Sequence, residues 1–113
     1  MRILGLIALL FTFTCHAPLA LAADGSVIIS SPKDGDIFSH SKEIRVKYKA
    51  VLGAKGHHLH LYLDDQPEVM LYKLKGNYAV GKLAPGKHGI CIRLMDKEHA
   101  DTGIQDCAMF RVQ

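Results

Sequence analysis

From residue 27 to the end of the chain, apolar and polar residues alternate with a period of two. Turn-forming residues interrupt the alternation at intervals of about eight to twelve positions, the spacing of an all-β sandwich. A strand sends successive side chains to opposite faces, so this pattern builds half-buried strands and leaves no place for a helix with its 3.6-residue period. Val27-Ile28-Ile29 reads as a first strand, closed by the turn cluster Ser31-Pro32-Lys33-Asp34-Gly35. Ile44, Val46 and Tyr48 alternate with Arg45, Lys47 and Lys49 in a second. Gly53 and Gly56 bracket a loop before a third strand that runs to Leu63, and Asp64-Asp65-Gln66-Pro67 turns the chain into Val69–Leu74. Gly76-Asn77 opens a short strand over Tyr78–Leu83, Pro85-Gly86 leads into Ile90–Met95, and Cys107–Val112 ends the chain. The expectation is about seven strands.

The first 22 residues stand outside this pattern. Arg2 gives a positive start, Ile3 to Phe13 form an apolar run too short to span a membrane, and Ala20-Leu21-Ala22 fits the small-x-small rule for cleavage. Residues 1–22 are therefore expected to be a signal peptide, and residues 23–113 a single exported domain, periplasmic or secreted. Removing them takes away Arg2 and no acidic residue, so the formal charge falls by one from the whole chain's +3. The basic residues are scattered and not interleaved with aromatics, which gives nucleic-acid binding no support. No second hydrophobic run marks a membrane span after cleavage.

Cleavage also removes Cys15 and leaves Cys91 and Cys107, which pair by default in an oxidising compartment. Their strands can be placed in register. Ile90, Ile92 and Leu94 face a core, as do Ala108, Phe110 and Val112, so both cysteines face outward. A hairpin with Cys91 opposite Cys107 sets Arg93 opposite Gln105 and Met95 opposite Gly103, leaving Asp96 to Thr102 as the loop. Both sulfurs then share one face of neighbouring strands, as a disulfide requires.

The most distinctive stretch is His57-His58-Leu59-His60-Leu61-Tyr62-Leu63-Asp64. Its leucines face one way and His58, His60 and Tyr62 the other. Imidazoles two residues apart on one strand face stand about 7 Å apart, close enough to share a metal ion. In an immunoglobulin-like sandwich the third strand pairs with the sixth and the sixth with the seventh. With the histidine strand third and Ile90–Met95 sixth, the antiparallel pairing gathers His57, His58, His60, Met95, Asp96 and His99 on one rim. Imidazole suits copper, zinc, nickel and iron, and a nearby thioether shifts the balance towards copper, Cu(I) above all. Zinc is the alternative, with Asp96 as an oxygen ligand. His40 and His88 fall at the opposite end. His88 shares parity with the core residues of its strand and is expected to be structural, bonding a turn backbone.

These residues resemble a family of small exported bacterial Ig-like domains whose pattern is a His-rich strand ending in Asp, then Leu-x-Pro-Gly-x-His, then Asp-x-x-His. Here the blocks stand as His58 to Asp64, as Leu83-Ala84-Pro85-Gly86-Lys87-His88, and as Asp96-Lys97-Glu98-His99. The middle histidine of the family's first block is Leu59 here, a change on the core-facing position. The resemblance implies the site residues and no activity. In size and architecture the chain is also similar to periplasmic copper carriers of the CopC type. It lacks their amino-terminal histidine, because the expected mature chain begins Ala23-Asp24-Gly25.

Three functions follow in order. The first is an exported metal-binding protein for storage, delivery or sensing, a monomer or dimer with a periplasmic protein as a candidate partner. The second is an Ig-like interaction module with solvated histidines. An enzyme comes last, since no serine or cysteine nucleophile is paired with a base. Because outward imidazoles bury little area, replacing His58 and His60 is expected to cost little stability.

Overall fold

The computed structural model describes residues 13–14 and 24–113. The signal-peptide reading, with Cys15, therefore falls almost wholly outside the described residues. The architecture is all-β: β1 (Ser26–Ser31), β2 (Ile37–Phe38), β3 (Ile44–Val51), β4 (His58–Leu63), β5 (Val69–Leu71), β6 (Lys75–Gly81), β7 (Gly86–Met95) and β8 (Asp101–Val112). Two sheets face each other, one ordered β1-β3-β6 and the other β2-β8-β7-β4-β5. This is an immunoglobulin-like sandwich. Among the described residues no helix is long and apolar enough to cross a membrane.

Alternation drives the assembly. β3 is buried at every second residue, and Val46, Tyr48 and Ala50 meet Leu59, Leu61, Ile90, Ile92, Leu94, Ala108 and Phe110 in the core. Burying each such side chain stabilises the fold by about 1.5–3 kcal/mol, which is what selects this register over a one-residue slip. Leu59 is fully buried. A histidine there would be desolvated among leucines, so leucine suits this core.

Four details differ from the sequence reading. β2 is an additional strand, paired parallel to β8, with Phe38 packed edge-on against Phe110 at 5.7 Å between centroids. β6 runs Lys75–Gly81, so it takes in Gly76-Asn77 and stops two residues before Leu83. Gly76 stands opposite Tyr48, and a β-carbon there would fall 2.8 Å from the Tyr48 hydroxyl. The glycine is room for that ring, whose hydroxyl donates to the Lys73 carbonyl at 3.0 Å. β8 begins at Asp101, six residues before Cys107. Finally, the β7–β8 ladder keeps Cys91 opposite Cys107 and Arg93 opposite Gln105 but then shifts, so that Met95 faces Asp101 and not Gly103. Gly103 has φ +86°, a backbone conformation that glycine adopts freely and that one type of β-bulge uses. The bulge shortens the loop between the strands to residues 96–100.

Cys91 and Cys107 form a disulfide. It ties β7 to β8 beside the strand that carries the histidines.

Candidate metal centre

β4 lies between β5 and β7, antiparallel to both. Its start is fixed by the His57 N–H, which donates to the Met95 carbonyl at 2.8 Å. The preceding loop closes tightly at Gly56, where a β-carbon would collide with the Leu52 carbonyl. The pairing sets His58 opposite Met95 and His60 opposite Arg93. With Leu59 and Leu61 turned into the core, His58 and His60 share the outer face.

That face does not leave them in water. His58 is 5% and His60 6% exposed, and Met95, expected at an open rim, is 5% exposed. The expectation of solvated imidazoles is thereby corrected, and so is the small stability cost attached to it. Neighbouring rings pack against them: His99 from the β7–β8 loop against His58, and Tyr62 from the same strand against His60, with the Arg93 guanidinium 4.7 Å above the Tyr62 ring.

The rings converge on one point. His58 Nε2 lies 3.0 Å from His60 Nε2 and 3.2 Å from His99 Nδ1. One ligand atom from each of the three residues falls within 4.8 Å of the others. Nitrogens bound about 2.0–2.1 Å from a tetrahedral ion stand about 3.3 Å apart, so the two measured separations are close to those a bound ion sets. The far sides of the rings are held as well. His58 Nδ1 is 3.0 Å from His57 Nδ1, and His60 Nδ1 is 3.4 Å from the Tyr62 hydroxyl. With those Nδ1 atoms protonated and donating outward, both Nε2 lone pairs are free to point at the common centre. His57 thus stands behind His58, where it orients the ring instead of joining the converging set.

Asp96 has a similar supporting place. Its Oδ1 accepts from the N–H groups of Glu98 and Ala100, both at 2.9 Å, while its own N–H donates to the Ala100 carbonyl. The His99 N–H donates to the Asp96 carbonyl at 3.2 Å. The carboxylate therefore shapes the turn that presents His99, which gives the Asp-x-x-His spacing a physical reason. His99 itself has φ +62°, uncommon for a residue other than glycine and costly unless the surroundings hold it.

Electrostatics favour the neutral form of His58. The pKa of His58 is lowered, first by burial and then by His60, His99 and His57, with Asp96 opposing weakly. A neutral imidazole is the ligand form.

His88 lies elsewhere and is a different kind of group. Its Nδ1 is 2.7 Å from Asp64 Oδ2 and its Nε2 2.7 Å from the Ala84 carbonyl. Both partners are acceptors, so the site favours the ring with both nitrogens protonated and donating. Its pKa is raised, chiefly by the Asp64 hydrogen bond. The ring stacks on Phe110, and Asp64 Oδ1 also accepts from the Gly89 N–H. His40 is bonded to the Gln113 carbonyl, away from the cluster. The alternation of β5 carried one signal that a search for histidines passes over: Met70 stands opposite His60.

No family model and no curated protein matches the chain. Solved structures do. The fibronectin(III)-like modules of Clostridium thermocellum CbhA superpose with a TM-score of 0.63 at 16% identity, over 79% of this chain and 46% of that one. The extracellular domain of a hybrid two-component system from B. thetaiotaomicron superposes with a TM-score of 0.56 at 7% identity, over 78% of this chain and 14% of that one. The chain thus spans less than half the length of either. At these identities the likeness is one of fold: this is a sandwich of the fibronectin(III)-like and immunoglobulin-like kind, found in extracellular modules.

Proposed function

We propose that the chain is an exported, periplasmic metal-binding protein that holds copper, with zinc as the alternative ion, for storage, delivery or sensing. His58, His60 and His99 are its ligands, and the reading includes no catalytic step. The observation that carries it is the meeting of three imidazole nitrogens at one partly buried point. One proton bridges only two nitrogens, so among neutral imidazoles the third turns to another partner, whereas one cation serves all three. Copper comes first because the Met95 position opposite His58 adds a thioether to the surroundings. The resemblance to exported Ig-like domains with a His-rich strand and an Asp-x-x-His block supports the same residues, and the expected signal peptide supports export. An interaction module with solvated histidines fits less well, because His58 and His60 are buried.

The test is metal analysis of protein recovered from the periplasm, followed by titration of residues 23–113 with Cu(I), Cu(II) and Zn(II). One equivalent of copper or zinc per chain is expected. Failure to bind any of the three ions contradicts the reading.

A further inference from the structure

β5 is an edge strand, and its middle residue stands opposite His60. Val69 stands opposite Leu61 and Leu71 opposite Leu59, both on the core side, so Met70, opposite His60, lies on the outer face. Directly opposed residues of an antiparallel pair have Cβ atoms about 4.5–5.5 Å apart, within reach of a flexible methionine. Met95 occupies the matching place opposite His58 on the other side of β4. The imidazole pair is thus flanked by a thioether from each neighbouring strand.

The two sulfurs differ in access. Met95 is 5% exposed, while Met70 is 39% exposed and accepts a hydrogen bond from the Tyr72 hydroxyl at 3.7 Å. Packing accounts for an apolar residue at Met95. It does not account for one at Met70, since the outward position of an edge strand is where natural sheets place polar or charged residues to block pairing with other chains.

We infer that Met70 is a thioether ligand on the solvent side of the centre and makes it selective for Cu(I) over Zn(II). Imidazole serves both ions, whereas thioether sulfur is a soft donor that favours Cu(I) and contributes little to zinc. Met70 would meet the arriving ion at the surface, with the buried imidazoles of His58 and His60 behind it. The inference rests on the metal reading of the histidine cluster and adds the class of ion, a soft monovalent cation, together with a ligand outside the histidine motifs.

Met70→Leu conserves volume and removes the sulfur. Residues 23–113 and this variant are titrated with Cu(I) under anaerobic competition with a chromophoric chelator, and separately with Zn(II). The variant is expected to bind Cu(I) at least tenfold more weakly and Zn(II) within twofold of the parent. In parallel, the methyl resonance of Met70 is followed by NMR, with Ag(I) as a redox-inert substitute for Cu(I). It is expected to move on adding Ag(I) and to stay in place with Zn(II). Unchanged Cu(I) affinity with a silent methyl resonance overturns the role of Met70 while leaving the histidine centre intact. Equal losses for both ions overturn it too, by making Met70 a packing residue. A parent chain that binds neither ion defeats the metal reading itself.

Discussion

Desolvating an imidazole beside two others costs free energy that is least when the ring is neutral, and His58 responds by titrating low. The sign of the consequence is fixed. A group whose folded pKa lies below its ordinary value of about 6.5 contributes stability that is complete above that value and lost as pH falls through the folded pKa. His88 has the opposite sign, because Asp64 raises its pKa. Its contribution is complete below about pH 6.5 and lost as pH rises through its folded pKa. Comparing melting curves of the parent and His88→Asn should therefore show a larger deficit at pH 5.5 than at pH 9. An equal deficit at both would mean that the imidazolium contributes nothing. His58→Ala with His60→Ala should abolish metal binding, and each should cost about 1–2 kcal/mol of stability, since two buried rings are lost from under Tyr62 and His99. A double variant as stable as the parent would show that the rings pack loosely in solution.

At the scale of the elements, the loop over residues 96–100 decides whether His99 reaches the centre. Asp96→Ala removes the acceptor for two N–H groups of that turn and is expected to weaken metal binding by about tenfold or more, as removal of a ligand-orienting partner typically does. Asp96→Asn keeps the acceptor and should bind nearly as the parent does. Titration of both variants separates a turn-forming role from an oxygen ligand, for which even the amide would weaken binding strongly. Alternation in β3, β4, β7 and β8 made the core legible from residues alone, and the β8-β7-β4 order within the larger sheet followed from the known pairing of such sandwiches. The convergence of His58, His60 and His99 was legible for the same reason. Burial of the cluster was not, because parity tells which face a side chain is on and not what else covers that face. β2 has two residues and no period to read. The bulge at Gly103 changed the partner of Met95 in a way that strict alternation cannot express.

For the molecule as a whole, the disulfide and the centre act on the same sheet. Opening Cys91–Cys107 should cost about 3 kcal/mol in the chain-entropy model for a loop of this size. For a domain this small, that corresponds to a fall in melting temperature of about 10 °C or more, measurable by calorimetry with and without reductant. Metal binding should act in the other direction, by about 2.7 kcal/mol at a free-ion concentration of one hundred times Kd. Both effects require the sandwich to bring β4 and the β7–β8 loop together, and His99 reports on that arrangement most directly. It lies 41 residues beyond His58 in the chain yet 3.2 Å from it in space. The decisive measurement is a metal titration of the parent chain, His99→Ala and His88→Ala under one protocol near pH 7.5. Loss of more than tenfold in affinity for His99→Ala, with His88→Ala lowering the melting temperature and leaving affinity nearly intact, is the predicted result. His88 controlling affinity while His99 is silent would contradict the account.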